Sequence, residues 1–250
     1  MLDRLSRQSQ SDVADGQPPI VNLAGAARSA GTRLGPALIQ AQPLLGSLSE
    51  ALAGWLAPRL AIRRLRRGEL VLHQGQPDRA FYIVCKGSVH AVRQAGNRRS
   101  LLLDVLGPGD HFGECGLIDG QPRAATLRCA QPTDLLMVQG DDFRHCLDQS
   151  DALRKALMRA LSQRLRARNQ RIVMLALNDV HGCVVHHLHD ASVEVLGQRI
   201  VNPPITRQFV ADRIGASREM VSRVFKDLTA RGQIQQRQDG SLLLCCAAPA

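Results

Sequence analysis

Residues Ile205 to Leu228 constrain this chain more than any other stretch, because they read as two short helices around a glycine turn. Thr206 and Ser217 each stand where a hydroxyl can accept an otherwise orphaned backbone N–H at a helix start. Phe209, Val210 and Ile214 give the first helix an apolar side, and Gly215 permits a sharp turn. Val221, Val224, Phe225 and Leu228 fall at i, i+3, i+4 and i+7 and form one buried face of the second helix. Its other face carries Arg218, Glu219, Ser222, Arg223 and Lys226. This is the pattern of a helix-turn-helix, whose second helix lies in the major groove of double-stranded DNA with its N-terminal residues at base edges. Arginine suits guanine O6/N7, and glutamate accepts from cytosine N4. A plain amphipathic hairpin with a solvated charged face accounts for the apolar side. It does not account for the turn chemistry or the charge placement.

The chain has 250 residues, enough for two domains with cores of their own. Lys+Arg number 32 against 22 Asp+Glu, a formal net charge of +10. That excess favours a polyanionic partner, although charge alone does not make a specific DNA reader. Aromatic residues are only 3%, which argues against base stacking on aromatic platforms. No apolar run reaches the ~18 residues of a membrane span, and the first residues hold no apolar signal-peptide core, so a cytoplasmic protein without a membrane partner is expected. The 7 cysteines (Cys85, Cys115, Cys129, Cys146, Cys183, Cys245 and Cys246) are odd in number and form no CxxC pair, which fits reduced, structural thiols.

Residues 1–44 are rich in Gly, Ala, Ser, Gln and Pro without sustained periodicity and read as a mobile extension. A helix is expected from Ser47, which forms a capping-box pattern with Glu50; Leu48, Leu52, Trp55 and Leu56 supply its buried side and Pro58 limits it. Short β-like runs then alternate with Gly, Pro and Asp: Leu70–His73, Ala80–Lys86, Ser88–Arg93, Leu101–Leu106, Arg123–Cys129 and Thr133–Gln139. Their spacing predicts a barrel or roll. A short helix follows Asp141, and a long one runs from Ser150 to about Leu177. The chain closes on a hairpin over Gln233–Cys246, with Asp239-Gly240 at its turn, placed as a wing beside the DNA-reading helix. The predicted fold class is α+β: an extension (1–44), a β-roll domain (45–149), a long dimerisation helix (150–178) and a winged helix-turn-helix domain (179–250).

Met158, Leu161, Leu165, Ile172 and Leu175 recur along the long helix at alternating steps of three and four, with Arg168 filling the gap. Such a heptad seam allows two copies to pair as a short parallel coiled coil, giving a homodimer. The same helix can pack on its own roll with another face. From Ala152 to Asn178 there are seven basic residues (Arg154, Lys155, Arg159, Arg164, Arg166, Arg168 and Arg171) and no acidic one, so paired helices would repel unless an anion or carboxylates from the roll intervene.

The segment Gly107–Leu127 carries the ligand chemistry. Its glycines permit tight backbone paths on which free N–H groups can converge on an anion. Arg123 offers a bidentate donor to a phosphate, and Glu114 can accept from a ribose hydroxyl. Together they suit a ribose-phosphate ring held in a roll; a surface Glu–Arg pair is the bland alternative. There is no GxxxxGK[ST], so this is not a nucleotide-hydrolysing loop.

Residues from about 60 to 246 resemble the cAMP receptor protein/FNR family of bacterial transcription regulators. The resemblance rests on Phe81-Tyr-Ile-Val-Cys-Lys-Gly-Ser-Val89, Phe112-Gly-Glu-Cys-Gly-Leu117, Pro122-Arg-Ala-Ala125, the seam helix and the helix-turn-helix, in that order. It implies a cyclic-nucleotide-binding roll in which Glu114 takes the ribose hydroxyl and Arg123 the cyclic phosphate. Gly113, Cys115 and Ala124 complete the cradle. Ala124 lacks the hydroxyl that accompanies cGMP preference, so cAMP is the expected ligand. Two small hydroxylated residues that approach adenine in the family are replaced by Arg168 and Asn169, which makes the more highly charged cyclic di-GMP an alternative. The resemblance also implies a TGTGA-like palindrome read by Arg218, Glu219 and Arg223, flanked by Ser222 and Lys226. Thr206, Gln208 and Ser217 fall on phosphates, and RNA polymerase is a further expected partner.

Three rivals remain. A ligand-independent regulator keeps the same fold. A metal or redox sensor would use His181, Cys183, His186, His187 and His189, although no cysteine precedes Cys85; no bound metal is expected. An enzyme would need a nucleophile elbow or an oriented triad, neither of which is visible, so no catalytic residue is assigned.

Overall fold

The computed structural model describes residues 39–77, 79–94, 100–202 and 204–245. The expected extension thus lies outside the described residues up to position 38, and its far end needs correction. Ile39, Leu44 and Leu45 are buried in one apolar core with Phe81, Phe143, Leu153 and Leu157. The first helix also starts later than expected. Ser47 closes a short 3-10 turn (Leu45–Ser47) by donating its hydroxyl to the Leu44 carbonyl at 2.9 Å. Ser49 is the cap, accepting from the Leu52 N–H at 3.3 Å, so Glu50 opens helix α1 (Glu50–Leu56) instead of closing a capping box.

Among the described residues eight strands follow: β1 (Ala61–Leu65), β2 (Leu70–Leu72), β3 (Ala80–Lys86), β4 (Val89–Gln94), β5 (Ser100–Leu106), β6 (His111–Phe112), β7 (Thr126–Cys129) and β8 (Thr133–Gln139). They form two antiparallel four-stranded sheets in the orders β1-β8-β3-β6 and β2-β7-β4-β5. Strand β3 shows how the period of two is used. Ala80, Tyr82 and Val84 enter the core of the roll, while Phe81 and Ile83 enter the core under the helices. With both faces covered, β3 reads as a continuous apolar run instead of an alternating one. Strand β7 starts at Thr126 and not at Arg123, because Arg123 is drawn inward ahead of it. Between β6 and β7 lies a short helix α2 (Glu114–Asp119).

Helix α3 (Gly140–Gln149) leads to the long helix α4 (Asp151–Leu177), capped by Ser150, whose hydroxyl accepts from the Leu153 N–H at 3.1 Å. Leu153 and Leu157 of α4 are buried; Met158, Leu165 and Ile172 are 59–62% exposed. The helix stops at Asn178, and Asp179 caps the next, accepting from the Gly182 N–H at 2.7 Å.

The C-terminal region contains α5 (Val180–Asp190), α6 (Arg207–Ile214), α7 (Arg218–Ala230) and a sheet ordered β11-β12-β10-β9. Its strands are β9 (Ser192–Val195), β10 (Gln198–Val201), β11 (Ile234–Gln236) and β12 (Leu242–Leu244). The expected terminal hairpin is present, with Gly240 at φ 83° and Asp239 accepting from the Ser241 N–H at 2.9 Å. A second hairpin, β9–β10, turns at Leu196-Gly197 and was not foreseen. Val184, Leu188, Val210, Val221, Phe225 and Leu228 form the shared core of helices and sheet. No described helix is long and apolar enough to cross a membrane.

Candidate ligand cradle and nucleic-acid interface

The Gly-rich segment folds into a cradle against β3. Gly113 sits at φ 100°, and a Cβ there would come within 2.5 Å of the Ala80 carbonyl, so the position requires glycine. Arg123 is 7% exposed and donates from Nη1 to the Gly113 carbonyl at 2.7 Å and from Nη2 to the Ala80 carbonyl at 2.8 Å. Its guanidinium therefore ties the cradle's turn to β3. Glu114 is 3% exposed. Its Oε1 accepts from Arg164 Nη1 at 2.8 Å, while its Oε2 has no hydrogen-bond partner among the described residues. Cys115 and Ala124 are exposed at the rim.

The sequence reading placed Arg168 and Asn169 at this cradle, but Arg164 is the arginine of α4 that enters it. Arg164 also donates to the His111 carbonyl. Arg168 and Asn169 are exposed on the open face of α4. Arg168 is close enough to Cys115 to pull its thiol down, against the larger upward push of burial and of Glu114. The signal for Arg164 was present in the sequence. Leu157, Arg164 and Arg171 are spaced by seven and so share the face on which Leu153 and Leu157 are buried.

Burial and the neighbouring Arg164 push the His111 imidazole down to about 4. Burial, then Arg213, does the same to His187, also to about 4. Both rings are neutral at pH 7, whereas an unfolded chain takes up a proton near 6.5. Between these values only the unfolded state gains the proton, so stability falls as pH drops through 6.5 toward 4 and levels off below. Urea unfolding should show a loss of about 1.5 kcal/mol per histidine between pH 6.5 and 5. His111→Phe should remove about 1.5 kcal/mol of that loss; an unaltered slope would mean that His111 is not a neutral group.

The second candidate surface is on α6 and α7. Thr206 caps α6, accepting from the Phe209 N–H at 3.1 Å, and Ser217 caps α7, accepting from the Met220 N–H at 3.2 Å. Gly215, at φ 73°, makes the turn between them. Val221, Phe225 and Leu228 are buried, and Arg218, Glu219, Arg223 and Lys226 are exposed together on the other side, with Ser222 half-buried at its edge. Gln208 donates to Asp212 at 2.8 Å. Two residues were missed at the sequence level. Arg207 lies over the Phe225 ring, 5.0 Å from its centroid, and Met220 is 39% exposed beside Glu219.

The histidines and cysteine considered as a metal site face different neighbours. His181 pairs with Asp227 at 3.5 Å and His186 with Asp190 at 3.2 Å, while His187 lies against Phe209 at 5.9 Å. Cys183 points its thiol at the Met174 and Asn178 carbonyls. Among the described residues no group of three or more His, Cys, Asp or Glu is arranged to hold a metal ion.

Known families match the two regions that carry these surfaces. Residues 62–150 match the model of the cyclic nucleotide-binding domain, and residues 183–245 match that of the Crp-like helix-turn-helix domain. A CRP-like cAMP-activated global transcriptional regulator of Mycobacterium tuberculosis is 30% identical over 173 residues, 68% of this chain and 77% of that protein. The solved structure of the c-di-GMP responsive global regulator CLP of Xanthomonas campestris is 30% identical. It covers 81% of this chain and 99% of its own, at a TM-score of 0.66. TTHA1359, a CRP/FNR-family transcriptional regulator of Thermus thermophilus, is 26% identical over 74% of this chain and 93% of its own, at 0.59. A nucleotide-type cradle in a roll, a long helix and a capped helix pair with a basic face thus stand in one chain in the order its relatives use, and the chain belongs to the cAMP receptor protein/FNR family of transcription regulators.

Proposed function

We propose that this protein is a cytoplasmic, homodimeric, ligand-responsive DNA-binding regulator, not an enzyme. In this reading the roll takes a cyclic nucleotide, cAMP first, and the dimer reads a TGTGA-like palindrome. The observation that carries the ligand reading is the Glu114 carboxylate. One oxygen is fixed by Arg164 and the other, buried, is left without a partner among the described residues. A buried acceptor of that kind is matched by a hydroxyl donor such as a ribose 2′-OH. Arg123 and Gly113 beside it, with Ala124 and Cys115 at the rim, are the residues that would hold a singly charged cyclic phosphate. Asn169 on the open face of α4 supplies an amide for a base edge.

A second ligand, cyclic di-GMP, is favoured by one observation. Arg168 stands exposed in the seam near Cys115, with Lys155, Arg159 and Arg166 exposed on the same helix. A ligand with two phosphates neutralises more of that charge. CLP, the relative described as c-di-GMP responsive, supports this arm, and the cAMP-activated mycobacterial relative supports the first. Titrating the protein with each nucleotide while following binding to a TGTGA-type palindrome at fixed salt separates them. Tightening with cAMP is the expected result. A response to cyclic di-GMP alone assigns Arg168 to the ligand site, and tight binding without response to either overturns the ligand reading.

On the DNA side, Arg218, Glu219 and Arg223 are assigned to base edges. Thr206, Gln208, Ser217, Ser222 and Lys226 fall on or beside phosphates, and RNA polymerase is the further partner of the bound dimer. Arg223→Ala should weaken the palindrome by about 1–3 kcal/mol per half-site while sparing non-specific DNA. A uniform loss on all DNA in a gel shift would move Arg223 from the bases to the backbone.

A further inference from the structure

One guanidinium joins three elements at the junction of the roll and the helix-turn-helix. Arg171 of α4 donates from Nη1 to the Leu103 carbonyl and from Nη2 to the Leu102 carbonyl, each at 2.6 Å. Nη2 also donates to the Arg213 carbonyl. The reason these carbonyls are open is local. In the β4–β5 ladder Ala91 pairs with Asp104 and Val92 with Leu102, so Leu103 is the extra residue of a bulge and has no cross-strand partner. Arg213 is the penultimate residue of α6, whose last carbonyls have no intrahelical acceptor role to fill, and a cation there is favoured by the helix dipole. Around this point α6 rests on β5. The side chain of Leu101 would stand 3.5 Å from a Cβ at Gly215, and His90 of β4 lies 5.7 Å from the Phe209 ring.

Two turns of α4 separate Arg171 from Arg164, about 10 Å along the axis. Both face the roll, one at the cradle and the other at the junction. Burial, with Arg213 and Arg168 nearby, pushes the Arg171 guanidinium down to about 10, still charged at pH 7. A charge held in such a place is retained by its hydrogen bonds.

We propose that Arg171 is a positioning residue, a latch that holds the DNA-reading helices against the roll through the Leu102, Leu103 and Arg213 carbonyls. Its role in regulation rests on the ligand reading above, since a latch on the helix that also carries Arg164 can report the state of Glu114. The holding itself does not depend on that reading. Release of the latch frees α6 from β5 and lets the recognition helices reorient at Asn178–Asp179, where the backbone leaves one helix and enters the next.

His90 reports docking without any ligand. It is packed against Phe209, with Arg213 and Asp212 of α6 as the charged groups facing it. Burial first, and Arg213 second, hold its imidazole below the ordinary histidine range, against Asp212. The experiment follows the His90 ring by NMR through a pH titration of the full-length protein, with the signal assigned by its loss in His90→Gln. In the wild type His90 should titrate below the ordinary value. In Arg171→Gln it should rise to that value, while His111, buried beside Arg164 in the roll, stays neutral and shows that the roll is folded. Arg171→Lys, which keeps the charge but not the fork, should fall between the two. A His90 that stays low in Arg171→Gln overturns the latch, and so does an ordinary His90 in the wild type. Because no nucleotide is present, failure of the cAMP and cyclic di-GMP titrations leaves this result intact, and the reverse also holds.

Discussion

Arg123→Leu is expected to weaken binding of a cyclic nucleotide sharply and to lower the stability of the roll at the same time. The affinity loss should be about 2–5 kcal/mol, roughly thirtyfold to several thousandfold, the range for removing one partner of a buried, hydrogen-bonded charge pair. The structure gives the guanidinium a second duty, because it already donates to the carbonyls of Gly113 and Ala80. Losing those donors should cost about 1–3 kcal/mol of folding free energy. Urea unfolding and nucleotide binding by calorimetry on the same variant read the two effects separately. Arg123→Lys sharpens the comparison. A lysine keeps the charge for a phosphate but cannot fork to both carbonyls, so it should recover more affinity than stability. Full nucleotide affinity in Arg123→Leu would remove Arg123 from the ligand site and leave it as a strut.

What the sequence made legible, and what it did not, follows from the range of the interactions concerned. Strands β3 and β8 were read at their observed ends, because β-branched and aromatic runs bounded by Gly, Pro or Asp are local signals. The caps Thr206 and Ser217 were equally local, each hydroxyl meeting an N–H three residues on. Ser47 was misread by two positions because Ser47 and Ser49 both precede the same apolar helix, and only the 3-10 turn at Leu45 decides between them. Ile39 and Leu44 were lost in a polar, proline-broken stretch. Their burial depends on a cavity made by α4 and β3, which no local pattern reports.

The cradle was legible in its residues and not in its wiring. Glu114 and Arg123 were read from residue type and Gly113 from the family resemblance, yet the partner of Glu114 lies 50 residues away on α4. Arg168 drew attention because it breaks the heptad, but breaking the seam places a residue on the seam, exposed at the rim and not inside the cradle. The seven-residue spacing of Leu157, Arg164 and Arg171 was the better guide, since it fixes which arginines face the same way as a buried leucine. Seven unpaired cations on paper thus divide into two groups in space. Arg154, Arg164 and Arg171 are satisfied within the chain, and Lys155, Arg159, Arg166 and Arg168 are exposed. That division weakens the expected helix–helix repulsion to what Arg168 and its exposed neighbours contribute.

Leu165→Asp combined with Ile172→Asp should convert the protein to a monomer and remove most of its affinity for a palindrome. Both residues are more than half exposed on α4, in a stripe with Met158 that has Leu161 and Leu175 half-buried along its edge. Leaving those side chains in water is unfavourable, and burying a leucine or isoleucine contributes about 1.5–3 kcal/mol. In a two-fold pair each substitution acts twice, so four apolar contacts become four carboxylates facing one another across the axis. Sedimentation equilibrium should report a single chain. The fold should persist, because Leu153 and Leu157, which fix α4 to its own roll, are untouched. A monomer engages one half-site at a time and forfeits the gain from linking two, so affinity for the palindrome should fall by about 10²–10⁴. Binding to an isolated half-site should barely change, because Arg218, Glu219 and Arg223 lie on α7, away from the stripe. If the doubly substituted protein still sediments as a dimer, the two copies meet elsewhere, and the α4 stripe must be assigned to another partner. Loss of half-site binding as well would instead show that the seam acts on the recognition helix within one chain, through the Arg171 junction that α4 shares with α6.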